Sequence, residues 1–327
     1  MTRADKHRIM AGIKNRTRPE RNTRNMNSQD LKLLSYDLRA NVVDMIVEGN
    51  GGHIGGDMSV MEILVELYFE QMNVSPENWD DPERDRFVMS KGHSVEALYS
   101  VLAAKGFFPI EQVLAEFSKF GSKFIGHPNN KLPGIEMNSG SLGHGLPVSI
   151  GMALAGKLDG RSYRVYTVMG DGELAEGSVW EAAMAGRQYK LDNLCAVVDR
   201  NRLQISGNTE DVMGHDDLLA RFSAFGWHVI EVNGNEIDDL RRGFEEAKAT
   251  KGQPSVLIAN TTKGCGSAVM ENKASWHHKV PTPEEYKQIM ADFEERKEQL
   301  AALSEQESQS SDCQTTAAEE VVSGGEQ

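Results

Sequence analysis

Cysteine is scarce and scattered. Three occur in 327 residues, Cys195, Cys265 and Cys313. None forms a C-x-x-C pair, which argues against a zinc site and a disulfide framework and fits a reducing, cytoplasmic setting. Long apolar runs are missing too. No stretch approaches the ~20 residues that span a bilayer, and the basic N-terminus lacks the apolar centre of a signal peptide. Membrane insertion and secretion are therefore not expected. Basic charge is in deficit, with 35 Lys and Arg against 49 Asp and Glu for a formal net charge of −14. The mean field of such a chain repels nucleic acid, so a polynucleotide partner is not expected.

What is present reads as a globular protein, with 39% hydrophobic residues and length enough for one large α/β domain or two smaller ones. Residues 1–27 form an expected flexible basic leader, carrying Arg3, Lys6, Arg8, Lys14, Arg16, Arg18, Arg21 and Arg24 against Asp5 and Glu20. At the other end, residues 301–327 include "SEQESQSSDCQTTAAEEVVSGGEQ", rich in Ser, Gln and Glu and free of bases. That composition predicts a disordered acidic tail. No linker or repeat interrupts residues 28–300, which are expected to form one domain.

Inside that domain the pattern changes midway. "SQDLKLLSYDLRANVVDMIVEG", "MSVMEILVELYFEQMN" and "SVEALYSVLAAKG" have apolar residues at three-to-four spacing and predict helices, the first opening at Ser28. Later, short β-branched runs at 163–169, 194–199, 228–232 and 255–259 alternate with helical stretches near 174–189, 216–225 and 236–249. Alternation of this kind predicts a parallel sheet with helices on both faces.

Two constellations carry chemistry. "MGDGE" places Asp171 between Gly170 and Gly172 just after a predicted strand, and Asp199, Arg200 and Asn201 follow the next one. Ligands collect beyond the carboxyl ends of parallel strands, so a carboxylate and an amide oxygen there could share a hard cation such as Mg²⁺ or Ca²⁺. Two unrelated turns are the competing explanation. The second constellation is histidine: His53, His93, His127, His144 and His215 each follow glycine. Glycine admits close approach to a ligand, and histidine can donate to phosphate or move a proton. His215 and His278 are assigned ordinary structural roles.

The stretch "GDGELAEGSVWEAAMAGRQYKLDNLCAVVDRNRLQISG" resembles the thiamin-diphosphate motif of transketolases. "GGHIGGDMSVMEILVELYF", "RFVMSKGHSVEALYSVLAAKG" and "GHPNNKLPGIEMNSGSLGHGL" resemble further transketolase segments in the same order. The resemblance covers roughly residues 30–280. It implies the thiamin-diphosphate-binding fold, a parallel sheet with helices on both faces, and transfer of a two-carbon ketol unit from a ketose or ketose phosphate to an aldose.

Carried over residue by residue, the resemblance implies that Asp171, Asn201 and the carbonyl of Leu203 hold a divalent metal, usually Mg²⁺, with Ca²⁺ or Mn²⁺ as alternatives. It places His93, Gly140, Ser141, Leu142, Gly170, Gly172, Glu173 and His277 on thiamin diphosphate, and His53, His93, His127 and His277 at the reacting centre. Glu176 and Glu181 match acids at the interface between chains. His144 stands where glutamine is common, and Asn129 where glutamate often follows the Gly-His-Pro turn. "TTKGCGSAVMENKASWHHKVP" looks like the form carried on short subunits. Full-length transketolases are about twice as long. The resemblance therefore implies the N-terminal subunit of a split enzyme, assembled with a C-terminal, pyrimidine-binding subunit into a heterotetramer. A 1-deoxyxylulose-5-phosphate synthase-like or dehydrogenase-E1-like subunit, and a non-catalytic regulatory subunit, are the alternatives.

Overall fold

The computed structural model describes the backbone of residues 26–323 and the side chains of residues 26–303, apart from position 216. Residues 1–25 of the expected leader lie outside the described residues. Five parallel strands form the sheet: β1 (Arg86–Met89), β2 (Val165–Gly170), β3 (Leu194–Arg200), β6 (His228–Asn233) and β7 (Ser255–Asn260). Their order is β1-β2-β3-β7-β6. A two-residue antiparallel pair, β4 (Leu203–Gln204) and β5 (Gly207–Asn208), makes a small hairpin just beyond β3. The register pairs Gly170 with Asp199 and Asp199 with Ala259, so the carboxyl ends of the central strands finish together.

The strand sequences explain this arrangement. Side chains alternate across a strand: Tyr166, Val168, Cys195, Val197, Leu257 and Ala259 enter one apolar cluster. Val165, Met169, Leu194, Ala196, Val198, Val256 and Ile258 enter the other. Both faces are covered, and each fully buried Val or Leu contributes roughly 1.5–3 kcal/mol. This is the expected fold class.

Helix α1 (Ser28–Gly49) has the expected span, but its cap is Asn27 rather than Ser28. Asn27 accepts from the Asp30 amide while the Asp30 carboxylate accepts from Asn27, a reciprocal capping box. With Met26 buried, the ordered chain includes the last two residues assigned to the leader. The single helix expected over "MSVMEILVELYFEQMN" is instead α2 (Ile54–Ser59), α3 (Met61–Glu66) and a wider π turn, Leu67–Gln71. All of α2 is buried, so it has no polar face for periodicity to reveal.

The chain continues through α4 (Val95–Lys105), α5 (Ile110–Glu116), α6 (Gly145–Leu158), α7 (Gly177–Gln188), α8 (Thr209–Met213), α9 (Leu218–Ala224) and α10 (Ile237–Ala249). The last helix, α11, is Pro283–Ser323. Its backbone runs helical through most of the stretch expected to be a disordered tail. No proline or glycine interrupts that stretch before Gly324, and Gln, Glu and Ala all favour a helix.

Candidate functional site

The turn after β2 is built around Asp171, which is buried. Its Oδ1 accepts from the Gly172 amide at 2.9 Å; its Oδ2 accepts from the Arg202 amide at 2.7 Å and the Thr209 hydroxyl at 3.2 Å. The carboxylate thus ties its own turn to the hairpin beyond β3. Burial and the neighbouring Asp199 push its pKa up to about 6, against the pull of these donors. Asn201 Oδ1 accepts from the Leu203 amide at 3.2 Å, while its Nδ2 donates to the Ser59 hydroxyl at 3.3 Å. Asp171, Asn201 and Leu203 all line one cavity of about 290 Å³. The sequence expectation that Asp171 and Asn201 converge rests on strands β2 and β3 ending side by side, and Leu203 was expected there from the transketolase resemblance alone.

The donor set fits a hard cation. It offers one carboxylate, one amide oxygen and one carbonyl, all oxygen, and a carboxyl whose burial disfavours its charge gains from a nearby cation. Among the described residues no group of three or more His, Cys, Asp or Glu side chains is arranged to hold a metal, so a soft-metal centre built from such a group finds no support there.

Two buried lysines complete the cavity, and sequence reasoning missed both. Lys91 precedes the Gly-His turn after β1 and pairs with Asp199 in an ion pair buried on both sides. Lys263 follows β7; its ammonium donates to the Leu203 carbonyl at 2.7 Å. Burial, then Lys91, pushes its pKa down to about 8. A buried lysine is rare unless paired, and no local pattern in the sequence marks either of these as buried. Gln204, Ile205 and Ser206 of the hairpin add to the lining.

The histidines gather at the same edge. The His53 ring lies 5.4 Å from His93, 6.1 Å from His127, 5.6 Å from His277 and 4.7 Å from His278, centroid to centroid. His53, His93 and His277 line the cavity; His127 stands behind it. His278, assigned a structural role, is a member of this cluster by position. Burial, then His278 and His127, lowers His53 to about 4. Burial, then Lys263, lowers His277 to about 3. Burial and Lys91 hold His93 well below the ordinary histidine value. Lys263 donates to His277 Nδ1 at 2.9 Å, which puts the ring proton on Nε2. His144 is exposed with Nδ1 against the Leu142 carbonyl, and His215 is buried off the cavity.

The segment Gly140–Gly143 forms one wall. Gly140 and Leu142 line the cavity, whereas Ser141 is exposed and outside the lining. Gly140 has φ of 142°, and a Cβ there would meet His127 Cδ2 at 2.6 Å; Gly143 has φ of 80° and crowds Glu176. Neither position admits a side chain. Glu173 lines the cavity, yet its carboxylate is committed inward, accepting from the Ser90 hydroxyl, the Gly143 amide at 2.8 Å and the Gly170 amide at 3.1 Å. It braces the wall against the Asp171 turn. Glu176, at the N-cap of α7, and Glu181 are exposed.

An all-parallel sheet that gathers an acidic glycine turn, oxygen donors, two lysines and a histidine cluster at its carboxyl edge has the ligand-binding edge of an open α/β fold. Comparison with known proteins makes the class specific. The sequence model described as "Transketolase, thiamine diphosphate binding domain" matches residues 31–313. An apulose-4-phosphate transketolase subunit from Phocaeicola vulgatus is 51% identical over 275 residues, 84% of this chain and 98% of that protein. A 6-deoxy-6-sulfo-D-fructose transketolase subunit of a Clostridium species is 40% identical, over 81% of this chain and 96% of that one. Human transketolase is 39% identical over 87% of this chain but only 46% of its own length. Among solved structures, transketolase from Leishmania mexicana superposes with a TM-score of 0.71 at 28% identity, covering 83% of this chain and 45% of that one. This chain therefore belongs to the transketolase family, as the N-terminal subunit of its split form.

Proposed function

We propose that this chain supplies the diphosphate half of a Mg²⁺-dependent transketolase site, with a separate C-terminal, pyrimidine-binding subunit supplying the other half. The observation that carries this reading is the convergence of Asp171, Asn201, Leu203, Lys91 and Lys263 on one cavity. Asp171, Asn201 and the Leu203 carbonyl hold the metal, with Ca²⁺ or Mn²⁺ as substitutes. The Lys263 ammonium would offset the diphosphate charge, Lys91 being paired with Asp199, and backbone amides of the glycine turn would donate to it. Leu142 would offer the cofactor rings an apolar contact, and Glu173 keeps that wall in place.

Thiamin diphosphate, when bound, supplies the electron sink that cleavage beside a ketose carbonyl requires. His53, His93, His127 and His277 stay neutral, donate from their protonated ring nitrogens to substrate hydroxyls, and can accept a proton at the other nitrogen. The substrates are a ketose donor and an aldose acceptor, ordinary or modified; the curated relatives carry names for apulose 4-phosphate and a sulfosugar. Exposed Glu176 and Glu181 face the partner chains of a cytoplasmic heterotetramer, and neither nucleic acid nor a membrane takes part. No described helix is long and apolar enough to cross a membrane.

The test is reconstitution. Thiamin diphosphate is titrated into the chain with Mg²⁺, with and without a candidate C-terminal subunit, and ketol transfer is assayed in each. Tight binding and turnover are expected in the mixture alone. Robust turnover by the isolated chain, with contamination excluded by mass spectrometry, overturns the split-site reading.

A further inference from the structure

Beneath the histidine cluster lies a pair of acids that the proposed function does not use. Asp57 sits in α2, four residues after His53, and Glu96 sits in α4, three residues after His93. Both are completely buried. Asp57 Oδ1 accepts from the Ala97 amide at 3.0 Å. Asp57 Oδ2 and both oxygens of Glu96 have no hydrogen-bond partner, yet Asp57 takes the amide of the residue that follows Glu96 and each carboxyl acts on the charge of the other. Two acceptors cannot bond each other without a proton between them.

The surroundings do not supply a counter-charge. Lys91 attracts Asp57, but its ammonium is already committed to Asp199 and to the Gly56 carbonyl. His53 and His93, the nearest titratable groups in the cluster, are kept neutral by burial. The amides of His53 and Glu96 pull toward a charged Glu96 without reaching hydrogen-bond geometry. Burial and the neighbouring acid outweigh them and push both carboxyls up. Glu96 is also wedged under the turn into His53, since a Cβ on Gly52 would fall 2.5 Å from its Oε1. His53 Nδ1 makes no hydrogen bond, so no partner at that nitrogen fixes its ring.

We propose that Asp57 and Glu96 share a proton and thereby clasp the two Gly-His turns, acting as positioning residues that set the spacing of His53 and His93. The O–H of one carboxyl donates to the other, joining the start of α2 to the start of α4. Loss of that proton leaves two facing anions in a dry interior, and the turns move apart.

The test uses the full chain and the variants Asp57→Asn and Glu96→Gln, in each of which an amide N–H replaces the shared proton. Infrared spectra at neutral pH are expected to show a protonated-carboxyl band in the wild type that is lost or shifted in both variants, with thermal midpoints near the wild-type value. A band unchanged in frequency and intensity in both variants overturns the shared proton. If one variant fails to fold, the other decides the point. The second arm measures the Kd of thiamin diphosphate with Mg²⁺ against pH in the reconstituted complex. Both proteins weaken as the Lys263 ammonium loses its charge near pH 8, and wild type is expected to weaken roughly tenfold more than Glu96→Gln on the alkaline side, as a broken buried pair would cause. Identical alkaline limbs in both overturn the clasp. This second arm rests on the proposed cofactor site. The infrared arm does not, so absence of any cofactor binding counts against that site and leaves the shared proton to be decided by the spectrum.

Discussion

The Lys263 ammonium donates to the Leu203 carbonyl at 2.7 Å, the same carbonyl assigned to the metal. A cation from the chain thus stands at the point where metal and diphosphate would meet, and it lies within reach of His277 as well. Replacing it by methionine keeps the length and removes the charge. A charge-assisted hydrogen bond is worth about 1.5–3 kcal/mol, so Lys263→Met is expected to weaken thiamin diphosphate binding roughly ten- to a hundredfold in the assembled enzyme. Its thermal midpoint should not fall, because the desolvation cost of a buried ammonium disappears too. Calorimetric titration beside a melting curve separates the two effects. An unchanged Kd would remove Lys263 from the diphosphate site.

Glu173 calls for the opposite outcome. Its carboxylate receives donors from Ser90, Gly143 and Gly170, so glutamine there would turn an N–H₂ toward a backbone N–H. An unsatisfied buried donor costs about 1–3 kcal/mol, and urea unfolding of Glu173→Gln should show a loss of that size. Full stability in this variant would mean that the wall does not depend on the brace.

Much of this site could be read in advance, and the exceptions share a cause. Strands β2, β3 and β7 were legible because each is a buried apolar run bounded by helical pattern, and the edge strand β6 because its apolar residues alternate with polar ones. β1 was not: "RFVM" is four residues long and leads straight into the Gly-His turn. Leu203 came only with the transketolase resemblance, whereas Asp171 and Asn201 could be placed together once two strand ends were adjacent. Lys91 and Lys263 could not, since their burial depends on Asp199 and Leu203, which arrive from another strand and its hairpin. Two adjacent histidines after Trp276 carry no mark of which faces the cavity. The structure brings both rings to His53.

The proposed metal site makes its own demand. Asp171→Asn retains one oxygen and removes the charge, so Mg²⁺-dependent retention of thiamin diphosphate in the assembled enzyme should fall by roughly a hundredfold or more, as for loss of a charged oxygen ligand. The same change sets an amide against the donors from Arg202 and Thr209. A stability loss of about 1–3 kcal/mol is therefore expected as well. Binding is measured well below the melting temperature to keep the two effects apart. Wild-type metal dependence in the variant would end the assignment.

The last expectation concerns charge in the histidine cluster. His53 is lowered to about 4 and His277 to about 3, burial being the largest cause for each, followed by His278 for the first and Lys263 for the second. Both are therefore neutral across the physiological range, and their ring resonances should not shift between about pH 5 and pH 8. The linkage has a definite sign. In the unfolded chain each titrates near the ordinary value of about 6.5, so below that pH the unfolded state binds more protons than the native state. Stability is then lost as pH falls from about 6.5 towards 4 for His53 and towards 3 for His277. Replacing both by asparagine should flatten that part of the pH–stability curve while leaving stability at pH 7 and above governed by packing. Urea unfolding at several pH values, with NMR of the histidine rings, checks both statements. Rings that titrate with midpoints near 6.5 would show that the cluster is wetter and more open than its geometry indicates, and the neutral donors assigned to it would have to be withdrawn.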